Sequence, residues 1–367
     1  MINYQKLLKI NCIISFFILL NIPAIAQPSI SEIKEIMKEV GIPGIQISYS
    51  KGKNSPIHFQ EGVYKYNEDK KIDAETRFQA ASLTKVVTAY AFFRLMDQGL
   101  IDLDTPLLNY YKYDRLKNNP QAEKITARMI LTHRTGLLNW QGDVPSDAWR
   151  ATALTLQFEP GQDYMYSGEG FYFLQETIAH ITNKSFEKII IDEVLKPLNL
   201  SNSHIVWDDS LEDKTAYGHY QWNNPRRLGK YRKSNAAYTL YTTSSDYLSF
   251  INQIIINGKG LKKSTHKLML TKAADAKKSK SVEFDDKYVP CALGMRMQIN
   301  ELGTAYWHTG SNPGFRCFFI TYPKSKETLT VFMNSDTGFP AMKKLMQLFL
   351  PKNQTFWAYD WRQGELD

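Results

Sequence analysis

The sequence predicts an α/β (α+β) fold, in which an antiparallel sheet is flanked by N- and C-terminal helices and carries an inserted, mainly helical subdomain. Three observations predict it: strand-like segments occur at both ends of the 367-residue chain, the middle has mostly helical spacing, and helical patterns open and close the chain. Because strands bury their apolar faces by sharing a sheet, the two ends are expected to meet. We expect one domain at residues 27–351, with its α/β part at about 27–98 and 225–351 and its helical insertion at about 99–224.

The N-terminal elements follow from apolar spacing. Residues 30–40 have helical spacing, with Ser29 or Ser31 as the candidate N-cap. Residues 45–50 and 57–66 alternate apolar and polar side chains like paired strands. Residues 83–96 are nearly continuously apolar at helical length, which predicts a central, buried helix.

The remaining elements continue this order. Residues 125–133 and 171–182 have helical spacing inside the insertion, and a short strand with a capped helix follows at 238–257. The C-terminal strands are expected at residues 291–299, 304–308, 317–322 and 329–334, followed by a helix at 340–350 and a tail at 352–367.

The first 26 residues are typical of an export signal. Lys6 and Lys9 precede a short apolar stretch, and the small residues Ala24 and Ala26 follow at cleavage-site spacing. An uncleaved anchor is the alternative, although the apolar stretch is short for a span. We expect cleavage after residue 26, a periplasmic or secreted protein, and no integral membrane span afterwards.

The chain is basic, with a net charge of +8 and a pI near 9.0. Such a charge permits a nucleic-acid partner, but export argues against one. The basic residues are concentrated at 226–233 and 262–280. Both stretches are expected to be solvated surface, and contact with an anionic cell surface is the alternative for 262–280. For the first, within an expected hairpin at 217–238, recognition of a substrate carboxylate is the alternative.

The sequence has no motif of a metal enzyme or nucleotide binder. It lacks H-E-x-x-H, P-loop and G-x-G-x-x-G patterns, and its histidines and cysteines are not clustered at metal spacing. We therefore expect neither metal nor cofactor. After signal cleavage two cysteines remain, Cys291 and Cys317, which permits one disulfide or two buried thiols.

The candidate nucleophile lies in a Ser-x-x-Lys pattern. This pattern occurs six times, and only Ser82-x-x-Lys85 opens the most apolar predicted helix. Residues three apart share a helix face, with Cβ atoms about 5–6 Å apart, so the amine can take the hydroxyl proton. The helix dipole favours an oxyanion there, and burial lowers the pKa of a lysine. A simple capping serine is the alternative.

Two further motifs follow in order, Tyr166-Ser167-x and His308-Thr309-Gly310. Together with Ser82-x-x-Lys85 they resemble the serine β-lactamase and penicillin-binding-protein superfamily. The likeness is to its class C-like branch of β-lactamases, D-Ala-D-Ala peptidases and esterases. It covers about residues 30–350 and implies a β-lactamase/transpeptidase-like fold. The supporting segments are residues 99–104, 131–137, 240–246 and 308–315.

The resemblance implies a role for each motif residue. Ser82 would be acylated, while Lys85 and Tyr166 would transfer protons. Backbone N–H groups of Ser82 and Ser311 would form the oxyanion hole. His133, in segment 131–137, is expected to be structural. The implied substrate-binding positions are His308, Thr309 and Gly310.

The sequence departs from the family pattern at two positions. Gly168 replaces the asparagine of Tyr-x-Asn, whose amide contacts substrate, and His308 replaces the lysine of Lys-Thr-Gly. A histidine is positively charged only below its pKa, ordinarily near 6.5. His308 and Lys85 are nonetheless the groups expected to lower the pKa of Tyr166.

These patterns predict an exported serine hydrolase that forms an acyl-enzyme at Ser82. Its substrate is expected to be a small ester, amide or D-amino-acid peptide, including peptidoglycan-derived molecules. Weak β-lactamase activity is expected as a secondary activity. The alternative is a catalytically silent module that binds peptidoglycan or a partner protein.

Overall fold

The computed structural model describes residues 28–221, 223–275 and 288–363. Its strands and helices lie largely where the apolar patterns predict them. The strands are β1 (Gly44–Lys51), β2 (Ile57–Gly62), β3 (Phe78–Gln79), β4 (Tyr241–Thr242), β5 (Arg296–Asn300), β6 (Gly303–Asn312), β7 (Phe315–Tyr322) and β8 (Glu327–Met333). The helices are α1 (Ile30–Val40), α2 (Thr84–Asp97), α3 (Ala127–Leu131), α4 (Asp147–Ala151), α5 (Gly168–Thr182), α6 (Phe186–Ile190), α7 (Ser244–Ile251), α8 (Lys263–Leu270), α9 (Ala341–Phe349) and α10 (Trp357–Gln363).

The main sheet joins the two ends of the chain. Six strands lie in the order β2-β1-β8-β7-β6-β5, and every neighbouring pair is antiparallel. Strand β1 pairs with β8, with Ile47 opposite Val331. The predicted fold class is thereby confirmed, because the strands before and after the helical middle form one sheet.

Each face of the sheet supports a separate apolar core. On one face, strand residues such as Ile47 and Phe318 pack with α1, α9 and α10. On the other, Phe319 and Phe332 each lie with ring centroids 5.8 Å from Tyr247 of α7. Burying a large apolar side chain stabilises the fold by about 1.5–3 kcal/mol. Because successive strand residues point to opposite faces of the sheet, the positions of the apolar residues determine which helices pack on each face.

Helix α2 is central, as its composition predicts. Eleven of the twelve residues from Thr84 to Leu95 are buried. Its polar side chains find partners in an irregular segment: Thr88 Oγ1 donates to the Ala236 carbonyl at 2.8 Å, and Thr84 Oγ1 accepts from the Leu240 N–H at 3.1 Å. These bonds hold residues 236–240 beside the start of the helix.

Two sequence expectations need correction. The presumed tail at 352–367 contains α10, whose Trp361 packs edge-on against Trp307 with ring centroids 5.8 Å apart. The hairpin expected at 217–238 does not form; among its described residues the backbone is irregular, with an isolated bridge between His219 and Pro225. At Tyr231 the second segment bonds to other parts of the chain: the Trp207 N–H donates to the Tyr231 carbonyl at 2.7 Å, and the Tyr231 N–H donates to the Tyr241 hydroxyl at 3.0 Å.

Cys291 and Cys317 are buried thiols that do not pair with each other, so the alternative to a disulfide applies. The predicted signal peptide, residues 1–26, lies outside the described residues, as does part of the basic stretch 262–280. Across the described ranges, no helix combines the length and the apolarity that a membrane crossing needs.

Candidate active site

Ser82 and Lys85 meet as their spacing predicts. Ser82 lies in a 3₁₀ turn, Ala81–Leu83, that leads directly into α2. The Lys85 Nζ atom is 3.3 Å from Ser82 Oγ and also donates a hydrogen bond to the Ala237 carbonyl at 3.1 Å. Ser82 is partly exposed, whereas Lys85 is 1% exposed. Ser82 is thus partly accessible from solvent, while Lys85 lies inside the protein.

Burial changes the chemistry of Lys85. Desolvation disfavours the ammonium form and lowers the pKa of Lys85 to about 7. A neutral amine within hydrogen-bonding distance of a hydroxyl can accept its proton as the oxygen attacks a carbonyl carbon. The pair therefore has the geometry and the proton affinity of an activated nucleophile.

The lowered pKa predicts a pH dependence. Lys85 is protonated below pH 7 and neutral above it, so acylation of Ser82 should rise as the pH increases through about 7 and then level off. The check is the single-turnover rate with an uncharged nitrophenyl ester from pH 5 to 9, corrected for spontaneous hydrolysis. A rate that falls over this range, or that rises only near the ordinary lysine pKa, would contradict the assignment.

Tyr166 lies next to Lys85. The lysine Nζ is 4.8 Å from the centroid of the tyrosine ring, and the ring is flanked by His133 at 4.3 Å and His308 at 6.3 Å between centroids. The predicted grouping of these motif residues is thus seen in the structure. The proton-transfer role of Tyr166 remains a prediction.

His133 positions the Tyr166 segment. Its Nδ1 accepts a hydrogen bond from the Ser167 N–H at 3.1 Å, and its carbonyl accepts one from the Met165 N–H at 2.8 Å. Burial, followed by the charge of Lys85, keeps the pKa of His133 well below its usual range, so the ring is neutral. These contacts fit the structural role expected from the sequence.

His308 is neutral, which corrects an expectation. It is 6% exposed, and its Nδ1 donates to the Thr309 carbonyl at 2.7 Å. Burial, helped by the charges of Lys85 and Arg296, lowers the pKa of His308 to about 3. At neutral pH it therefore supplies no positive charge to a substrate carboxylate or to Tyr166. The sequence shows a histidine there but not its burial.

Gly310 lets β6 approach the nucleophile turn closely. A Cβ atom on Gly310 would lie 2.4 Å from the Ala80 carbonyl oxygen and 3.2 Å from the Ala81 Cβ. The next residue, Ser311, then lines the same cavity as Ser82. This arrangement is compatible with the predicted oxyanion hole of two backbone N–H groups, which stays a prediction.

The backbone next to Ser82 is strained at Ala81. Ala81 has a φ of 49°, a left-handed conformation that costs a residue with a Cβ of order 1 kcal/mol or more. Ala80, which precedes Ala81, is held by two hydrogen bonds. Its N–H donates to the Leu240 carbonyl at 2.8 Å, and its carbonyl accepts from the Cys317 thiol at 3.0 Å. The surrounding contacts hold the turn that presents Ser82.

A cavity of about 260 Å³ opens onto Ser82 and Lys85. Its walls include aromatic side chains that sequence reasoning missed. Burial raises the pKa of Tyr231 to about 12 and also raises that of Tyr238, so both phenols are neutral. The other lining residues are Asn139, Trp140, Val144, Pro145, Ser311, Asn312 and Pro313.

The basic stretch at 226–233 is largely neutralised by nearby acids. Arg226 pairs with Asp336 at 3.0 Å, and Lys230 pairs with Glu212 at 2.8 Å. Arg232 and Lys233 pair with Asp209 and Asp147. These ion pairs favour the reading of this stretch as solvated surface. The described ranges, 28–221, 223–275 and 288–363, contain no group of three or more potential metal ligands.

Fold and motif geometry together define the class of protein. A six-stranded antiparallel sheet facing a buried helix that begins with Ser82-x-x-Lys85 is the architecture of the serine β-lactamase and penicillin-binding-protein superfamily. The chain belongs to the beta-lactamase family, whose model matches residues 30–349. Members of this family are generally serine hydrolases.

Individual relatives are distant. Protein flp of Staphylococcus aureus is 26% identical over 214 residues, which are 53% of this chain and 41% of that protein. The match therefore spans less than half the length of this curated relative. A penicillin-binding protein homologue from Pyrococcus abyssi, described as octameric, shares the fold with a TM-score of 0.72 and 22% identity, over 87% of this chain and 76% of that chain. A class C beta-lactamase does so with a TM-score of 0.70 and 19% identity, over 83% and 89%.

Proposed function

We propose that the protein is an exported serine hydrolase that forms an acyl-enzyme at Ser82. Its substrates are small esters, amides or D-amino-acid peptides, with esters turned over faster than β-lactams. The observation that carries the proposal is the 3.3 Å contact between Ser82 Oγ and a buried Lys85 whose pKa is about 7, in the wall of a cavity. Export and a periplasmic or secreted location rest on the sequence pattern of residues 1–26.

The proposed reaction has two balanced steps. Ser82 Oγ attacks the substrate carbonyl carbon while its proton passes to the neutral Lys85 amine. The bond to the leaving alcohol or amine breaks, and that group departs with a proton returned from the Lys85 and Tyr166 side. Water then attacks the acyl-enzyme, which releases a carboxylic acid and restores the Ser82 hydroxyl. The backbone N–H groups of Ser82 and Ser311 stabilise the oxyanion in both steps.

Covalent labelling tests the proposal. A fluorophosphonate probe should label wild-type protein at Ser82, as mapped by peptide mass spectrometry, and Ser82→Ala should neither label nor hydrolyse a nitrophenyl ester above background. Ser264→Ala is a matched control, because Ser264 lies in another Ser-x-x-Lys sequence and is exposed on α8. A chromogenic cephalosporin is expected to turn over more slowly than the ester.

Other outcomes would reject parts of this proposal. Folded wild-type protein that takes no label would favour the silent binding module instead. Full ester hydrolysis by Ser82→Ala would show that another serine is the nucleophile. Cephalosporin turnover equal to or faster than that of the ester would reverse the proposed substrate order.

A further inference from the structure

Gly168 is required by the space beside it. A Cβ atom on this residue would lie 2.4 Å from both Cη2 and Cζ2 of Trp140, and 2.8 Å from its Cε2. Carbon atoms in contact normally lie about 3.5–4.0 Å apart. Gly168 is the first residue of α5 and has no left-handed φ that would itself call for glycine. The indole of Trp140 therefore occupies the volume that any other side chain at position 168 would need.

Hydrogen bonds on both sides hold the backbone of Trp140. The N–H groups of Gly168 and Glu169 each donate to the Asn139 carbonyl at 3.1 Å. On the other side, the Gln141 N–H donates to Glu169 Oε1 at 2.9 Å. The start of α5 thus fixes residues 139–141, and with them the position from which the indole projects.

Two aromatic rings hold the indole itself. Trp149 and Tyr238 pack edge-on against Trp140, with centroids at 5.8 Å and 5.5 Å. Trp149 is in turn fixed, because its Nε1–H donates to Glu169 Oε1 at 2.6 Å. An aromatic wall held this way is preorganised, so a ligand that stacks on it need not order it first.

The same indole lines the cavity that opens onto Ser82. At about 260 Å³ this cavity is slightly below the roughly 300–1,000 Å³ typical of small-molecule sites, so the group it takes is small. The neutral Tyr231 and Tyr238, together with Val144 and Pro145, continue the wall. This part of the lining suits a flat apolar group better than a charged one, while Asn139, Ser311 and Asn312 line other parts of the cavity.

We propose that Trp140, in the space left by Gly168, is the specificity-determining residue of this site and binds the aromatic acyl group of an ester attacked by Ser82. This inference rests on the proposed function and adds the substrate class to it. Gly168 affects the substrate only through Trp140, because the absence of a side chain at position 168 provides the space that the indole occupies.

The test is a double-mutant cycle on the ratio of kcat/KM for nitrophenyl phenylacetate to that for nitrophenyl acetate. Wild type should prefer the aromatic acyl group by about tenfold or more. Trp140→Ala should lower the ratio severalfold. Gly168→Ala should lower it similarly, because the added methyl displaces the indole, and the double variant should be no worse than Trp140→Ala alone. Trp140→Phe should retain part of the preference.

Gly170→Ala is the matched control. It changes a glycine in the same turn of α5, but a Cβ there would meet its nearest neighbour at an ordinary 3.5 Å. Its ratio should equal that of wild type. Unfolding temperatures of all variants separate loss of specificity from loss of fold.

Other results would contradict either the role of Trp140 alone or the proposed function as well. A ratio unchanged in Trp140→Ala, or additive effects of the two substitutions, would overturn the inference while fluorophosphonate labelling of Ser82 still supports the proposed function. Wild-type protein that neither labels nor hydrolyses either ester would remove the proposed function and this inference with it.

Discussion

Replacing Lys85 by Met is expected to lower the acylation rate of Ser82 by about 10²–10⁴-fold, the usual contribution of a positioned proton-transfer group. Lys85 Nζ lies 3.3 Å from Ser82 Oγ, and methionine has a similar length without a basic atom. The rate limb near pH 7 should disappear with it, since the group that titrates there is gone. Single-turnover kinetics across pH measure both effects.

The same substitution is not expected to weaken the fold. Burial lowers the pKa of Lys85 from 10.5 to about 7, so the unfolded chain binds more protons than the folded chain between these values. The contribution of Lys85 to the free energy of unfolding therefore rises as the pH increases from about 7 to 10.5. Below pH 7 the buried lysine is charged in the folded protein, and its full destabilising effect is present. Lys85→Met removes that penalty, which is on the order of a few kcal/mol, against the lost hydrogen bond to Ala237. Its unfolding temperature at pH 6 should equal or exceed that of wild type.

Lys267→Met is the matched control for this prediction. Lys267 follows Ser264 at the same spacing but is exposed on α8. Its removal should change neither the acylation rate nor the pH limb. A Lys85→Met protein that acylates at the wild-type rate would eliminate Lys85 as the proton acceptor.

The sequence predicts the parts of the site that depend on local geometry. Ser82 and Lys85 are three residues apart where a 3₁₀ turn runs into α2, so their contact follows from helical spacing. The union of both chain ends in one sheet follows from the need to bury apolar strand faces, as the β1–β8 pairing confirms. The bounds of α1 match the expected residues 30–40, because its amphipathic spacing and its Ser29 capping box agree.

The rest depends on contacts between residues far apart in sequence. Trp140 and Gly168 are separated by 28 positions, and only the fold shows that one fills the space left by the other. Tyr231 and Tyr238 reach the cavity from a segment that was expected to form a hairpin but is irregular in the structure. The neutral state of His308 comes from burial by neighbouring elements, which no motif encodes. The motif positions and the lowered pKa of Lys85 were thus predictable, whereas the charge state of His308 and the aromatic walls of the cavity were not.

Removing Glu169 should produce a large loss of stability. Glu169 is fully buried and forms a bidentate ion pair with the buried Arg115. The Arg115 Nη1 and Nη2 atoms donate to Glu169 Oε2 at 2.8 Å and to Oε1 at 3.2 Å. It also accepts hydrogen bonds from the Trp149 indole and the Gln141 N–H. Glu169→Ala leaves a guanidinium buried without its carboxylate. Breaking such a pair typically lowers the free energy of unfolding by about 3–5 kcal/mol, which urea unfolding would measure.

An exposed ion pair gives the matched control. Lys124 and Glu159 are 59% and 37% exposed, so Glu159→Ala should cost about 0–1 kcal/mol. Losses of equal size in Glu159→Ala and Glu169→Ala would show that burial does not set the energy of the Glu169 pair.

A double substitution separates the buried charge from the hydrogen bonds. Arg115→Met combined with Glu169→Gln buries no charge, and the new amide oxygen can still accept from Trp149 and Gln141. If the stranded guanidinium causes most of the loss, this double variant should be clearly more stable than Glu169→Ala. Because Gln141 and Trp149 flank Trp140, it should also retain the preference for an aromatic acyl group, whereas Glu169→Ala should lose part of it. Glu169 would then link the stability of the fold to the shape of the cavity through the two neighbours that hold the indole.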